Sequence, residues 1–507
     1  MKHSTRMKQL ALGGLVAMAM AAPVWAQSAR DTVVMASPTD VASWDPIAVT
    51  QAPAMPLFKA VFDQPLDQGP DLKLMPSLIK SWKWLEEGKT LEVTFRDDVR
   101  FHNGDKLTTE DFKYTYIDRL RADNKLALGG AVGSKYSDIE IVSPTVAIVK
   151  LASPFPTALQ WWAFLANFIV PKKYITTVGV DKFIEKPIGS GPYKLAEYER
   201  GSRIVFEANE DYWGPKPKTK RVVVQIVKDI SARAAAIQAK QVDIAYDITL
   251  KEAARLGALP GLKAVIEPIT NIVMLQIRSD GIMADENVRL AMHHAINKQA
   301  ISRALYEGKA VPISFTGVPG MPGEPKGFTF PYDPNKSKEL LAKSGYSVAK
   351  PAKITLLTFR GAFPGDWELA NILAQQWKLV GVDATIEQIE PPQYYELNHN
   401  GKLKEVTLFN WANATADPEG FTGFIMNPKL RFSAWKSKDM EDALGSLFVE
   451  MNYEKRIAEY TKLNQYIVEK AYTIPILQQV GTMVVQSNVD VPWYQSSWIR
   501  LSEISKK

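Results

Sequence analysis

Two hydrophobic periods alternate along the chain. Leu91, Val93 and Phe95 alternate with Glu92, Thr94 and Arg96, the period-2 signature of a half-buried strand. Asp285 predicts a helix N-cap. Val288, Met292, Ala295 and Ile296 follow at helical spacing, so a helix is expected up to Gly308. Asp366 opens another, with Leu369, Ile372, Leu373, Trp377 and Val380 on one face, and Gly381 stops it. Val382, Ala384 and Ile386 return to strand alternation. Ile457, Tyr460, Leu463, Ile467 and Ala471 mark a late helix ending before Pro475. Strands alternating with helices of this length predict an α/β fold with mixed sheets.

The first 26 residues follow a different pattern. Lys2, Arg6 and Lys8 precede an apolar run, Leu10 to Ala22, that is too short to anchor stably in a bilayer. Val24 and Ala26 are small residues before Gln27, so a cleavable export signal is expected over 1–26. The chain has no cysteine, which excludes a disulfide framework, a thiolate metal site, a cysteine protease and a lipid-modified N-terminal Cys. The expected product is therefore released into the periplasm, without a lipid anchor. Three of the 61 basic residues lie in the signal, leaving 58 against 55 acids. That balance is too even and too dispersed to argue for nucleic acid.

One stretch punctuates the middle of the chain: Ile188-Gly189-Ser190-Gly191-Pro192-Tyr193, running through Ile204 and Phe206 to Asn209-Glu210-Asp211-Tyr212-Trp213-Gly214. By itself it reads as a turn, a strand and an aromatic pair. Gly189-Ser190-Gly191 lacks both the Lys-Ser/Thr ending of a phosphate loop and a GxGxxG run. His102-Asn103-Gly104 reads as a turn, since Asn-Gly supplies left-handed conformations.

These pieces belong to an ordered set. Ser43-Trp44-Asp45-Pro46 comes first, then Met75-Pro76-Ser77-Leu78 with Ser81-Trp82, then Thr94-Phe95-Arg96 and Val99-Arg100-Phe101-His102-Asn103-Gly104. Leu107 to Phe112 and the Gly-Ser-Gly-Pro and Tyr-Trp-Gly segments follow. Val288-Arg289 with Ala295-Ile296-Asn297-Lys298, and Tyr332-Asp333-Pro334 with Gly345-Tyr346, complete the order. The set resembles the peptide/opine/nickel family (family 5, dipeptide/oligopeptide-binding type) of solute-binding proteins of ABC transporters. The resemblance implies a two-lobed periplasmic binding protein of type II, with an extra subdomain in the N-terminal lobe. Lobe I is expected over 27–265, with its subdomain at about 56–180, lobe II over 266–480, and a return to lobe I over 481–507. Leu259–Ile272 and Val480–Val491 are then expected to cross between the lobes as a hinge.

The segment expected to see the ligand is Phe409-Asn410-Trp411-Ala412-Asn413-Ala414-Thr415-Ala416-Asp417-Pro418, where a strand breaks into small and polar residues. In peptide-binding relatives a Trp here is followed, three residues on, by an Asp that pairs with the peptide's ammonium. Trp411 matches, and Ala414 does not. An ammonium buried without its carboxylate loses roughly 3–5 kcal/mol, by analogy with a broken buried ion pair. That is about two to three and a half decades in affinity. A free-amine peptide then requires another acid, with Asp45 and Asp417 as candidates. The other expected ligand residues are Trp44, Thr50, Gln51, Asn271, Arg360, which could fork onto a carboxylate or phosphate, and Phe363, alongside Asn410 and Asn413. Trp161-Trp162 could pave a sugar site.

Catalysis finds little support. GxSxG and HExxH are absent. After the signal only His102, His293, His294 and His399 remain, and adjacent helical His293 and His294 point about 100° apart rather than jointly at a metal. A secreted hydrolase with carboxylates paired in space stays an alternative, as do an opine, oligosaccharide, haem or nickel-chelate binder and a chemoreceptor sensor. The expectation is a monomeric protein with no catalytic residues, metal or cofactor. Its partners would be a small polar or peptide ligand and an inner-membrane ABC permease.

Overall fold

The computed structural model describes residues 31–123, 126, 128–130, 132–359, 361–430 and 433–507. The expected signal and Arg360 therefore lie outside the described residues.

One eleven-stranded mixed sheet runs through the molecule. Its path is Val382–Gln388, Ala352–Thr358, Val406–Ala412, Leu262–Ile277, Thr473–Gln486, Ile244–Tyr246, Thr32–Ser37, Arg221–Ile226, Arg203–Ala208 and Tyr193–Glu199, with Val311–Pro312 added beside Thr473–Gln486. The two long central strands are antiparallel and span both halves of the sheet. Leu262 to Pro268 pairs with Val480 to Gln486, and Ile272 to Gln276 pairs with Thr473 to Gln478, with the register shifting between Pro268 and Ile272. The stretches expected as loop-like crossovers are thus largely strand. Pro268 cannot donate a ladder bond and sits where the pairing breaks.

Two main hydrophobic clusters lie either side of this shift. One gathers Val33, Phe58, Phe62, Trp162 and Phe206 with the C-terminal Trp498 and Ile499. The other gathers Val288, Leu356, Leu373, Trp377, Leu408 and Tyr460. These are the cores of lobe I and lobe II. A separate four-stranded antiparallel sheet, Ile79–Glu86, Thr90–Phe95, Val146–Leu151 and Tyr136–Ser143, packs into the first. In it Leu91, Val93 and Phe95 point inward, as their alternation predicts.

The helix expected over 285–308 is two helices. Asp285 caps Glu286–His294 by accepting from the Asn287 N–H at 2.9 Å. Asn297 then caps Lys298–Tyr306 through the Ala300 N–H at 2.9 Å. An Asn that accepts from the backbone competes with a continuing helix.

The glycine-rich stretch owes its composition to contact rather than to turn geometry. A Cβ on Gly189 would lie 1.9 Å from the Val61 carbonyl oxygen, and one on Gly191 2.6 Å from the Val61 carbonyl carbon. The His102 turn closes over the same place. The His102 N–H donates to the Gly189 carbonyl at 2.8 Å, and Nε2 lies 3.0 Å from the Gly191 carbonyl. Burial holds that imidazole down at about 4.

Candidate functional site

The Val406–Ala412 strand is buried as far as Phe409, then half-exposed from Asn410 to Ala412. The chain beyond it folds back on itself. Asn413 is fully buried; its Nδ2 donates to the Asp417 carbonyl at 2.8 Å, and its Oδ1 accepts from the Thr415 N–H and hydroxyl at 2.8 and 2.6 Å. Ala416 takes a left-handed φ of 56°. Trp411 Nε1 donates to the Gly420 carbonyl at 2.7 Å, which ties the loop's two ends together. A Cβ at Gly420 would lie 2.3 Å from Asn413 Oδ1, so only glycine fits there.

This loop meets lobe I. Trp411 and Met321 pack against both lobe cores. Ala414 and Phe424 belong to the buried cluster of lobe I although lobe II carries them. The Phe424 ring lies 6.3 Å from Trp411 and 5.1 Å from Trp161 of lobe I. Gln68 Nε2 of lobe I donates to the Ala414 carbonyl. Elsewhere, Lys135 Nζ lies 5.6 Å from the Phe155 ring and 5.8 Å from Phe448 of lobe II. The lobes are therefore closed on each other.

Several expected ligand residues have other work. Trp44 is 2% exposed and stands edge-on to Phe58, Tyr198 and Phe206 at 6.1, 5.7 and 6.2 Å. It is core, not cleft. Asp45 is paired by Arg119 at 2.7 and 3.3 Å. Asp417 accepts from Arg456 and from the Glu419 N–H at 3.0 Å, capping the turn Pro418–Gly420. Both carboxylates that might have replaced the acid missing at Ala414 are thus engaged by guanidinium groups. Phe363 is buried in the lobe II core. Asn413 spends its side chain on the loop itself.

Thr50, Gln51, Asn271 and Asn410 are half-buried. Asn271 faces Ala412 across the strand pair. Gln51 Oε1, Asn271 Oδ1 and Thr270 Oγ1 are buried without a protein partner. Buried polar atoms of that kind call for water or a ligand.

Sequence reasoning missed Gln68, Phe424, Arg456 and Glu419. Glu419 is 5% exposed, with Oε2 unpartnered. Burial pushes its carboxyl up to about 7, and the Asp417 charge adds to that, against Arg456. Its only signal was an acid directly after Asp417-Pro418. Among the described residues no three His, Asp or Glu side chains gather as a metal site, and His399 is exposed at a helix end. One cavity of about 300 Å³ lies in lobe I, lined by Lys59, Asp63, Asp67, Gln68, Tyr494 and Arg500.

The sequence profile of the bacterial extracellular solute-binding proteins, family 5 (middle region), matches residues 73–429, most of the chain and all of the loop described above. The protein belongs to that family. The chain is 27% identical over 484 residues to the nickel-binding periplasmic protein of Escherichia coli, covering 90% of this chain and 91% of that one. It is 24% identical over 492 residues to the dipeptide-binding protein of the same organism, covering 90% of each. Its fold matches the crystal structure of NikA from Brucella suis in complex with Fe(III)-EDTA with a TM-score of 0.85 at 22% identity, over 94% of this chain and 100% of that one. This family 5 protein is a two-lobed solute-binding protein and not an enzyme. Its ligand groups therefore serve capture, and no side chain needs to be assigned to bond making or breaking.

Proposed function

We propose that this protein is the periplasmic solute-binding component of an ABC importer. It takes a small polar solute between its lobes, closes, and presents the closed form to the permease. The proposed form is a monomer, exported by residues 1–26 and cleaved before Gln27. The relatives' names support this reading, since they include periplasmic nickel- and dipeptide-binding proteins. Trp411 supplies aromatic area. Asn410, Asn271, Gln51 and Thr50 supply polar recognition, together with Arg360, which precedes Gly361 in the sequence.

The solute we propose is neutral or anionic, such as a metal chelate or an N-blocked peptide-like compound. One observation carries this. Position 414 is Ala, and both Asp45 and Asp417 are already paired with Arg119 and Arg456. A free terminal ammonium would be buried without either of these carboxylates, at the ion-pair cost given above.

A second reading rests on Glu419, whose Oε2 has no protein partner. In it, a cationic solute reaches Glu419 instead. Native mass spectrometry on protein released gently from periplasm, followed by denaturation and identification of the released small molecule, decides between them. A neutral or anionic species supports the first reading. A free-amine peptide overturns it and favours the second, provided Glu419→Gln abolishes its retention.

A further inference from the structure

Gln68 ends a short strand, Leu66–Gln68, that pairs with Leu74–Pro76 in lobe I. It is 5% exposed. Its side-chain amide carries two hydrogens, and both are used. Nε2 donates to the Leu72 carbonyl across its own turn at 3.3 Å, and to the Ala414 carbonyl in lobe II. The first contact orients the amide and the second spends it on the solute loop.

The hairpin is braced from behind. Arg500 donates to the Gln68 carbonyl at 3.1 Å and also to the Asp67 carboxylate. Asp67 Oδ1 accepts from the Gln68 N–H at 2.8 Å and from Lys59 at 3.0 Å. A donor aimed at a target is effective only when its own support is fixed, and here a half-buried carboxylate paired with two more deeply buried cations provides that support.

The hairpin turn also reaches the solute loop by a second route. The Gln495 N–H donates to the Pro70 carbonyl at 3.2 Å, the Thr270 N–H to the Gln495 carbonyl at 2.9 Å, and the Asn413 N–H to the Thr270 carbonyl at 3.1 Å. Thr270 lies inside the register shift of the long strands. Two neighbouring peptide units of the loop are thus held from two sides. Asn413 is held by the strand that crosses between lobes, and Ala414 by lobe I itself. The Asn413 bond is local to the crossing. The Gln68 bond spans the lobes and has to break when they part. A contact made in one state only shifts the equilibrium toward that state.

We propose that Gln68 is a positioning residue for solute capture: its braced amide fixes the Ala414 carbonyl in the closed form and so couples the shape of the solute loop to lobe closure. This rests on the reading that the loop from Trp411 to Asp417 faces the solute. It explains why a small side chain stands at 414, where the backbone rather than a carboxylate is used. Gln68 touches no solute in this role. It acts through the loop.

The absence of cysteine makes the test direct. Spin labels at Ser202→Cys in lobe I and Lys378→Cys in lobe II, both exposed positions, report lobe separation by double electron–electron resonance. The protein is emptied by denaturation and refolding, then reloaded with the small-molecule fraction released from the native wild type. Gln68→Met is expected to lower the closed population and raise the off-rate about tenfold while leaving the on-rate within twofold. Unchanged closed population and off-rate overturn the proposal. Gln68→Glu supplies a readout that a merely structural role would not move. Ionised, the carboxylate opposes two carbonyls; protonated, it can donate to one. Its off-rate is therefore expected to fall from pH 8 to pH 5 relative to wild type, and a flat ratio overturns the proposal even if the Met variant fails to fold. If the wild type itself shows no distance change on reloading, solute capture by closure fails along with Gln68. If only the variants match wild type, Gln68 alone fails.

Discussion

The Arg456 guanidinium grips both carboxylate oxygens of Asp417 inside lobe II, Nη1 to Oδ1 at 2.9 Å, with side chains 1% and 2% exposed. The pair fixes the loop that begins at Trp411, because Asp417 also caps the turn that returns to Gly420. Asp417→Asn leaves a buried guanidinium without its counter-charge. It is expected to cost about 3–5 kcal/mol of stability, measured by urea unfolding. The double variant Asp417→Leu, Arg456→Met is expected to recover a large part of that loss, because no unpaired charge remains. A single variant as stable as wild type would refute the assignment.

Glu419 makes stability depend on pH in a direction opposite to that of a salt-bridged acid. The groups around it are Asp417, Arg456, Tyr460, Lys135 and Thr157. Its folded value of about 7 lies above the ordinary 4.5. The folded state therefore binds more protons than the unfolded state between those values, and stability falls as pH rises through the window. Melting temperatures of wild type and Glu419→Gln are expected to be closest near pH 4.5, with wild type losing ground up to about pH 7 and no further above it. A difference independent of pH would sink this prediction.

Gly189→Ala drives a Cβ into the Val61 carbonyl. The clash is with backbone, so the cost is expected to be at least the ~1–3 kcal/mol of ordinary overpacking. Gly201→Ala is the control. Its added Cβ meets nothing, and only the left-handed φ of 72° is strained, for roughly 1–2 kcal/mol. Denaturant midpoints should rank wild type first, Gly201→Ala next and Gly189→Ala last. A reversed order of the two variants would mean that the close approach to Val61 is relieved by movement.

Trp411→Ala is expected to weaken binding of the released small-molecule fraction by about thirtyfold or more, the usual scale for an aromatic hot spot. Equilibrium dialysis with mass-spectrometric detection measures it. Unchanged retention would remove Trp411 from the solute site and leave it as the tie between the loop's ends.

Much of the fold was legible because it rests on local rules. The alternation at Leu91 to Phe95, the cap at Asp285 and the stop at Gly381 are each set by residues a few positions apart. The break between the two helices near Asn297 was missed because Val288 to Ile296 keeps helical spacing up to the break. The site was less legible. Trp44 looked like a cleft residue at a strand end, yet Tyr198 and Phe206, far along the chain, enclose it.

The sequence by itself determined family, fold class and the missing acid at Ala414, because these are matters of which residues stand in which order. Only the tertiary structure decided which polar groups remain for a solute. Asp45 meets Arg119 and Asp417 meets Arg456 across 74 and 39 residues, and Gln68 reaches the Ala414 carbonyl across 346. Whether a carboxylate is free or taken depends on which partner the fold brings within hydrogen-bond reach. That is a property of packing, and no local spacing encodes it.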